Sequence, residues 1–395
     1  MKIAVGISGG VDSSVAAWLL KKQGYDVFGM FMINWHDVTG VLSGNCESDE
    51  DRMFAEMVAR KLDIPLIVVD LSAEYKERIV EYMFSEYQKG RTPNPDVLCN
   101  REIKWDVFLN KALELGADFV ATGHYCQKSE MEVDGQKIFQ LLAGEDKNKD
   151  QSYFLCQVSQ YQLSKAQFPI GHYAKKDVRE IAENAGLPTA TRKDSQGLCF
   201  IGKIDLPTFL QQKLKAQSGF IVEITDSQEK IKFISGIENL NEDQCLWLSD
   251  PQKLKPQDGK IVGEHQGSHF YTIGQRKGLG IGGSPLPLYV IGIDTQVNIV
   301  YLGMGENHFG LNRQALKINM SEVHWIRCDL ALKAGQQAAY KVRIRYRQEL
   351  QDAILYQFDE YLIIVFKNLQ KSIAPGQFAA WYNGEELVGS GVIFQ

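Results

Sequence analysis

Apolar and polar residues follow two different periods along the first 125 residues. Short apolar runs such as KIAVGI (2–7), LIVVD (66–70) and DFVATG (118–123) have the length of buried strands. Between them, segments such as VAAWLLKKQ (15–23) and WDVFLNKALELG (105–116) carry apolar residues at helical spacing. Strands that alternate with helices predict a parallel sheet covered by helices. We therefore predict an α/β fold for this part of the chain.

The pattern changes twice further along the chain. Residues 127–144 (QKSEMEVDGQKIFQLLAG) predict a hairpin with Asp134-Gly135 as its turn, and two helical segments follow it. From about Phe220 onward, short strands separated by Gly, Pro, Asn and Asp dominate. This pattern predicts one or two small β-rich domains, with a seam near residues 310–313.

Composition narrows the class of protein. A chain of 395 residues, 44% hydrophobic and 23% charged, is typical of a globular protein of two or three domains. No stretch approaches the roughly 18 apolar residues of a membrane span, and the expected location is cytoplasmic. The seven cysteines are scattered without a C-x-x-C pair, which argues against a zinc knuckle and a secreted disulfide framework. A net charge of −6 does not indicate nucleic-acid binding, although it can conceal a local basic patch.

The stretch VGISGGVDSS (5–14) joins the first predicted strand to the first predicted helix. Gly9 and Gly10 let backbone N–H groups approach an anion, and the helix N-terminus adds its positive dipole end. Asp12 or Ser13 is the expected N-cap. The stretch lacks the lysine of the usual nucleotide-hydrolysing P-loop, which suits a loop that holds departing pyrophosphate. An ordinary glycine-rich turn is the alternative interpretation.

A second glycine pattern, GLGIGG (278–283), formally matches a dinucleotide-binding fingerprint. It is followed by SPLPLY, whose prolines preclude the helix that such a site needs. We therefore interpret it as a structural loop.

Two cysteines are candidates for chemistry. Cys99 follows Asp96 by three residues in GRTPNPDVLCNREIKW (90–105), where the carboxylate could manage protons and a helix beginning near Arg101 could stabilise the thiolate. Cys199 follows a glycine in the short, irregular segment DSQGLCFIG (194–202). The remaining cysteines are expected to be inert buried residues; they are Cys46, Cys126, Cys156, Cys245 and Cys328.

The segment KVRIRYR (341–347) carries cations at every second position. As a strand it would present Lys341, Arg343, Arg345 and Arg347 on one face, here called the basic stripe. Such a face suits RNA phosphates, and a solvated barrel strand is the alternative.

Six segments, taken together, resemble the tRNA-specific 2-thiouridylases of bacteria, whose first motif is the PP-loop of the N-type ATP pyrophosphatases. In chain order they are SGGVDS (8–13), TPNPDVLCN (92–100), ATGHY (121–125), NKDQSYFL (148–155), GLCFIG (197–202) and TIGQRKGLG (272–280). The resemblance implies a PP-loop domain over residues 1–203, a central β-rich domain over 204–311 and a tRNA-binding β-barrel over 312–395.

The resemblance also implies an activity and its participants. ATP, with Mg²⁺, would adenylate the C2 oxygen of the wobble uridine of tRNA, and a persulfide on Cys199 would then deliver sulfur. Cys99 would be the partner thiol, Asp96 the acid or base, and a sulfur-relay protein the donor. The implied ATP contacts are Gly6, Ile7, Ser8, Gly9, Gly10, Val11, Asp12, Ser13, Met32 and Gly123. The implied tRNA contacts are Asn94, Pro95, Asp96, His124, Lys149, Asp150, Gln151, Arg345, Tyr346 and Gln377. No metal-binding residues are implied.

One region departs from the family pattern. Residues 224–258 add roughly 30 residues, partly acidic, where the family has a brief turn, and we expect them on the outer face. A glutamine-dependent synthetase, a 4-thiouridine synthase and a non-catalytic ATP- or RNA-binding module remain the alternative functions.

Overall fold

The computed structural model describes residues 1–36, 47–193 and 206–394 of the chain. Cys46 and Cys199 lie outside the described residues. The inert role of Cys46 and the persulfide role of Cys199 therefore stay predictions. The strands and helices below follow the chain order.

Five strands in the described N-terminal region form one parallel sheet, in the order β3-β2-β1-β4-β7. Their bounds are β1 (Lys2–Gly6), β2 (Asp26–Ile33), β3 (Leu66–Asp70), β4 (Phe119–Ala121) and β7 (Ala166–Gln167). The predicted parallel sheet is confirmed. The chain runs from β1 outward to β3 and later returns to place β4 on the other side of β1. In open α/β sheets this change of direction opens a crevice at the carboxyl ends of the two central strands.

Helices cover both faces of this sheet. They are α1 (Val11–Lys22), α2 (Glu47–Leu62), α3 (Ser72–Tyr75), α4 (Glu81–Gln88), α5 (Pro95–Leu98), α6 (Leu109–Glu114), α7 (Gln160–Lys165), α8 (Lys175–Asn184) and α9 (Leu206–Leu210). Wider π-type turns join α3 to α4 at Lys76–Val80, and α5 to α6 at Cys99–Phe108. Alternate side chains of the strands enter two separate cores. On β2, for example, Met30 packs on one side and Phe31 on the other.

The helix that carries Cys99 begins earlier than the sequence analysis predicts. It starts at Pro95, and the side chain of Asn94 caps it by accepting a hydrogen bond of 3.2 Å from the backbone N–H of Val97. The prediction of a start near Arg101 is wrong, because asparagine followed by proline is itself a strong helix-start signal. Cys99 therefore lies one turn inside the helix rather than at its end.

The central region contains a small sheet in the order β10-β11-β8-β9. Its strands are β8 (Gly219–Ile224), β9 (Gly259–His265), β10 (Leu288–Asp294) and β11 (Ile299–Met304). A loop without helix or strand occupies residues 271–287, which confirms that GLGIGG does not begin a dinucleotide-binding helix.

The C-terminal region folds into a β-barrel. Its strands are β12 (Asn312–Asn319), β13 (Val323–Trp325), β14 (Gln337–Arg343), β15 (Gln351–Gln357), β16 (Tyr361–Lys371), β17 (Phe378–Asn383) and β18 (Glu386–Val392). The backbone N–H of Phe394, just past β18, donates to the carbonyl of Lys317 on β12 at 2.9 Å and links the first and last strands. Apolar side chains from alternate positions, including Phe366 and Trp381, fill the interior.

The predicted hairpin is confirmed as β5 (Cys126–Val133) and β6 (Gln136–Ala143), but its location is unexpected. It extends the barrel sheet, because β6 pairs with β18 in the register Leu142 to Glu386 and Leu141 to Leu387. The side chains of Gln140 and Glu386 add a hydrogen bond of 2.7 Å across the same seam. One hydrophobic core consequently runs from the parallel sheet into the outer surface of the barrel.

Residues 224–258 form a compact layer on the barrel, built around α10 (Glu242–Ser249). Cys245 and Leu248 of this helix are buried against Ile363 and Val365 of β16. The side-chain amide of Gln314 both accepts from and donates to the backbone of Ile234, with each bond 2.8 Å long. This segment therefore covers the barrel wall beside β12 and β16, in keeping with the outer position that we expected.

Candidate functional site

The turn between β1 and α1 is held open by hydrogen bonds among its own residues. The hydroxyl of Ser13 accepts from the backbone N–H of Ser8 at 3.1 Å and donates to the carbonyl of Gly10 at 3.2 Å. Helix α1 begins at Val11 with Gly10 as its N-cap, so the expectation that Asp12 or Ser13 is the N-cap is wrong. Because glycine carries no side chain, the N-cap leaves room at the positive end of the helix, where an anion can be bound.

Two glycines of this site are required by the space around them. Gly9 has φ +76°, and a Cβ there would lie 2.3 Å from the carbonyl oxygen of Asp51. A Cβ on Gly123, just after β4, would lie 2.6 Å from the backbone nitrogen of Ser13. The residue after β4 therefore lies directly against the first turn of α1, and the turn after β1 lies directly against α2, at the switch point of the sheet.

The loop after β1 contains no lysine, but Lys175 from helix α8 lies beside it. The ammonium of Lys175, the first residue of α8, is 2.7 Å and 2.9 Å from the two carboxylate oxygens of Asp12. The hydroxyl of Tyr125 donates to the same carboxylate at 2.7 Å. The sequence analysis missed Lys175, because nothing in KKDVREIAENAG indicates that its first lysine faces residue 12.

Arg192 connects the loop to the end of the described N-terminal region. Its Nη1 donates to the carbonyl of Gly9 at 2.8 Å and to the carboxylate of Asp51 at 2.7 Å. Its guanidinium also lies 4.2 Å from the centre of the Phe54 ring. Arg192 therefore braces the tight turn at Gly9, only seven residues before Cys199 in the sequence.

The ten residues predicted to contact ATP lie at the same edge of the sheet. Residues 6–13 run from the end of β1 into α1, Met32 is the penultimate residue of β2, and Gly123 follows β4. Met32 is buried in the core that also contains Cys99. The structure thus brings these residues together, while their contacts with a nucleotide stay a prediction.

A second group of predicted residues meets where the N-terminal domain touches the barrel. The side-chain amide of Asn94 donates to that of Gln377 at 3.3 Å. Gln377 in turn donates to the backbone carbonyl of Thr92 at 2.9 Å. The central domain reaches the same place through a 3.2 Å hydrogen bond between the hydroxyls of Thr92 and Thr272. All three domains therefore converge next to Asp96 and Cys99.

Cys99 is fully buried beneath this surface. The next residue, Asn100, donates from its side chain to the backbone carbonyl of Asp96 at 2.9 Å, which fixes the first turns of the helix. The separation of Cys99 from Cys199 involves a residue outside the described ranges.

The predicted tRNA contacts of the fourth motif, NKDQSYFL (148–155), approach those of the barrel. The ring of Tyr346 packs on that of Phe154, with 4.4 Å between their centroids. Arg345 is exposed beside it. Gln151 accepts from the backbone N–H of Tyr125 at 3.0 Å, and Lys149 is partly exposed.

In addition to Pro95, which is buried at the start of its helix, two of the predicted tRNA contacts have buried side chains. Asp150 is buried and ion-paired with Arg343 at 3.1 Å. His124 is buried as well, bonded through Nδ1 to the hydroxyl of Thr122 at 2.7 Å, and burial lowers its pKa well below the usual value. Any RNA contact of these two residues would require a rearrangement or the use of backbone atoms.

The basic stripe is not formed as predicted. Strand β14 ends at Arg343, whose side chain is buried, and Arg347 adopts φ +64° in the turn that follows. Lys341 is exposed but paired with Asp352 at 2.9 Å. The regular period of two breaks because a buried carboxylate attracts the second cation of the series. Arg345 and Arg347 remain exposed on either side of Tyr346, and the guanidinium carbon of Arg347 lies 5.3 Å from the centre of the Tyr346 ring.

Three of the four remaining described cysteines, Cys126, Cys156 and Cys245, are buried, as predicted. Burial raises the pKa of the Cys156 thiol and of the Cys245 thiol to about 12, and that of Cys126 well above its usual value. The prediction is wrong for Cys328, which is exposed.

The described residues contain neither a candidate membrane span nor a candidate metal cluster. None of their helices is long and apolar enough to cross a bilayer. In residues 1–36, 47–193 and 206–394, no three His, Cys, Asp or Glu side chains are grouped so that they could hold a metal ion.

Three protein-family descriptions match the chain in succession. They are "tRNA methyl transferase HUP domain" over residues 1–203, "tRNA methyl transferase PRC-barrel domain" over 249–304 and "Aminomethyltransferase beta-barrel domain" over 315–393. The fold class predicted from the sequence is thereby confirmed. The arrangement defines a tRNA-modifying enzyme with an N-terminal HUP domain.

Curated relatives identify the family more closely. The tRNA-specific 2-thiouridylase MnmA of Christiangramia forsetii is 58% identical over 397 residues, which cover 99% of each chain. The protein of that name from Flavobacterium johnsoniae is also 58% identical, and that from Karelsulcia muelleri is 44% identical over 392 residues. The chain belongs to the tRNA-specific 2-thiouridylase family and is a tRNA-uridine 2-sulfurtransferase. The family predicted from the six motifs is confirmed, and the alternative functions are set aside.

Solved structures add little to this identification. An NMN synthetase from Francisella tularensis covers 50% of this chain and 67% of its own, at 15% identity and a TM-score of 0.31. A 4-thiouridine synthetase in complex with RNA and ATP covers 53% of this chain and 50% of its own, at 18% identity and a TM-score of 0.31. These scores are too low to support an argument.

Proposed function

We propose that this enzyme uses ATP to adenylate the C2 oxygen of the wobble uridine of tRNA and then replaces that oxygen with sulfur carried by Cys199. The observation that carries the proposal is the turn after β1, which offers an anion site at a helix N-terminus without a lysine of its own. Such a site suits the β,γ-pyrophosphate of ATP, because pyrophosphate must be held while the α-phosphorus is attacked.

The residues around this turn fit ATP. Backbone N–H groups between Ser8 and Ser13 would hold the phosphates, with Lys175 supplying a positive charge from the side. Asp12 would share a Mg²⁺ ion with them, since carboxylates and phosphates are the oxygen ligands that Mg²⁺ prefers. Met32 and Gly123, at the ends of β2 and β4, would border the adenosine.

Adenylation makes the later chemistry possible. The C2 carbonyl of uridine is a weak electrophile, and its oxygen is a poor leaving group. Once the oxygen has attacked the α-phosphorus and pyrophosphate has departed, AMP becomes the leaving group. Asp96, near the N-terminus of its helix, would manage the proton at the base.

Sulfur transfer requires two cysteines. The terminal sulfur of a Cys199 persulfide attacks C2, so that a C–S bond forms and AMP leaves. The thiolate of Cys99 then attacks the Cys199 sulfur; the S–S bond to the transferred sulfur breaks, and its electron pair remains on the 2-thiouridine. The resulting Cys99–Cys199 disulfide is reduced by two external thiols, which become a disulfide themselves, and a sulfur-relay protein then restores the persulfide.

The tRNA would bind across the junction of the domains. Asn94, Pro95 and Asp96 precede the buried Cys99 at the start of its helix, and Gln377 accepts a hydrogen bond from Asn94, which supports contact with the target base. Lys149, Gln151, Arg345 and Tyr346 supply a neighbouring surface, on which unstacked bases could pack against the aromatic ring. We assign residues 1–203 to adenylation, 204–311 to the central domain and 312–395 to the RNA-binding barrel.

The test is to follow the products of ATP in the presence of unmodified tRNA. We expect AMP and pyrophosphate to form in proportion to 2-thiouridine, measured by mass analysis of the nucleosides with sulfide or a persulfide donor. ADP and phosphate as the tRNA-dependent products would contradict the proposal.

A further inference from the structure

Arg343 is enclosed between the N-terminal domain and the barrel. Its Nη1 lies 3.1 Å from Oδ2 of Asp150, and its guanidinium carbon lies 4.7 Å from the centre of the Tyr382 ring. The hydroxyl of Tyr382 is 3.1 Å from that of Ser152. The guanidinium is therefore held by a carboxylate from one domain and an aromatic ring from the other.

The carboxylate of Asp150 has a fixed orientation. Its Oδ1 accepts from the backbone N–H groups of Gly144 at 3.2 Å and Ser152 at 3.0 Å, which leaves Oδ2 directed toward Arg343. Both members of the pair are buried. A buried charge that loses its partner is strongly destabilising, so each residue constrains the position of the other.

The segments that carry Asp150 and Arg343 make a second contact. It lies four residues after Asp150 and three residues after Arg343. Tyr346 packs on Phe154 there, with the two rings tilted by 42°. The exposed Arg345 immediately precedes Tyr346 in the sequence. Lys149 and Gln151 flank Asp150 in the opposite segment. Every residue proposed to contact RNA in these segments is thus a near neighbour of the Asp150–Arg343 pair.

We propose that Arg343 is a positioning residue for tRNA binding. Its ion pair with Asp150 holds the loop that carries Arg345 and Tyr346 against residues 149–155, so that two segments from different domains form one RNA-binding surface. Arg343 acts through this loop and does not touch RNA. The inference rests on the RNA contacts of the proposed function.

Steady-state thiolation of an unmodified tRNA transcript tests the role of Arg343. We expect Arg343→Met to raise the KM for tRNA by about tenfold, equivalent to about 1.4 kcal/mol of binding, with kcat within about threefold of the parent. Arg343→Lys should recover part of the loss. If Arg343→Met fails to fold, Asp150→Asn breaks the same pair while retaining the shape of the side chain, and it should raise the KM similarly.

Arg327 provides a matched control. It is a buried barrel arginine whose Nη1 is 2.6 Å from the carboxylate of Glu386, in a pair that touches none of the proposed RNA contacts. Arg327→Lys is expected to lower thermal stability and leave the KM for tRNA unchanged. A folded Arg343→Met variant with the KM of the parent would overturn the proposal.

A double-mutant cycle separates positioning from direct contact. In an Arg345→Ala/Tyr346→Ala background, Arg343→Met should raise the KM no further, because the loop it positions has lost its contacts. Additive effects would overturn the proposal by assigning an RNA contact to Arg343 itself. If the loop variant alone leaves the KM unchanged, the RNA-binding surface of the proposed function fails, and the positioning role fails with it.

Discussion

The ammonium of Lys175 lies 2.7 Å from Oδ1 of Asp12, although 163 positions separate the two residues in the sequence. The loop after β1 thus has its cation supplied by the first turn of α8. The Lys175 ammonium lies at the side of the loop and not within it. It can therefore stay close to pyrophosphate without contributing to transfer of the γ-phosphoryl group.

Removing this charge should impair the use of ATP. We expect Lys175→Met to raise the KM for ATP by roughly tenfold or more, because a charge-assisted contact worth about 1.5–3 kcal/mol is lost. Lys176→Met is the matched control, since this neighbouring lysine is exposed and should be dispensable. Pyrophosphate release at varied ATP concentration measures both variants, and equal KM values would argue against the proposed role.

Substitution of Gly9 should be far more harmful than substitution of Gly24. Both glycines have positive φ, +76° and +86°, so alanine pays a similar backbone cost of about 1–2 kcal/mol at either position. At Gly9 the new methyl group would also collide with the backbone at Asp51, whereas at Gly24 nothing lies within 4 Å. We expect Gly9→Ala to abolish AMP formation and Gly24→Ala to retain it. A fully active Gly9→Ala enzyme would show that the tight turn is not needed.

The two chemical cysteines should be separable from adenylation. We expect Cys99→Ser and Cys199→Ser to abolish 2-thiouridine while tRNA-stimulated AMP formation continues, because adenylation precedes sulfur transfer. Cys156→Ser is the control at another buried cysteine and should keep thiolation within a few-fold of the parent. Normal thiolation by Cys199→Ser with a protein sulfur donor would refute the persulfide step.

Arg345 should contribute to binding through a phosphate. We expect Arg345→Ala to weaken tRNA binding and to flatten the plot of log affinity against log salt concentration by about one unit. Lys341 is already paired with Asp352, so Lys341→Ala should change the slope little. Filter binding between about 50 and 200 mM salt distinguishes the two. If Arg345→Ala leaves the slope unchanged, Arg345 does not contact a phosphate.

The stability of the enzyme should fall in mild acid. Burial lowers the pKa of His124 in the folded state, so the unfolded chain binds a proton first as the pH falls below about 6.5. The free energy of unfolding then decreases by about 1.4 kcal/mol per pH unit for this residue, until the pH reaches its folded-state pKa. His124→Gln should reduce the loss of stability between pH 6.5 and 5.5 by about 1 kcal/mol, measured by urea unfolding, because the unfolded histidine is only half protonated at pH 6.5. Identical slopes would contradict the prediction.

Local patterns in the sequence predicted the N-terminal sheet, the Asp134-Gly135 hairpin and the turn after β1. Each of these depends on residues close together in the chain. The early start of the helix at Pro95 was also readable, from Asn94 and the proline after it. The buried state of Arg343 was not readable, because it depends on Asp150, which reaches it from another domain.

The same limit explains the two other features that were missed. The contact between Lys175 and Asp12 arises when α8 packs beside α1, and no residue next to Lys175 signals it. The attachment of the hairpin to the barrel requires the edge of β18 to be open, which depends on how the whole barrel is arranged. The sequence motifs named residues that the structure brings together, while long-range packing decided which of their side chains face outward.

The pairing of β6 with β18 also constrains the order in which the protein can fold during synthesis. Gln140 cannot form its hydrogen bond until Glu386, 246 positions later, has been synthesised. At about 5–20 residues per second, the ribosome needs roughly 12–50 s to reach that residue. Throughout that interval the edge of β6 is an unpaired strand next to an incomplete core, which is a template for aggregation. A nascent chain of this enzyme should therefore depend on chaperones until its last strand emerges, even though its nucleotide-binding sheet is complete far earlier.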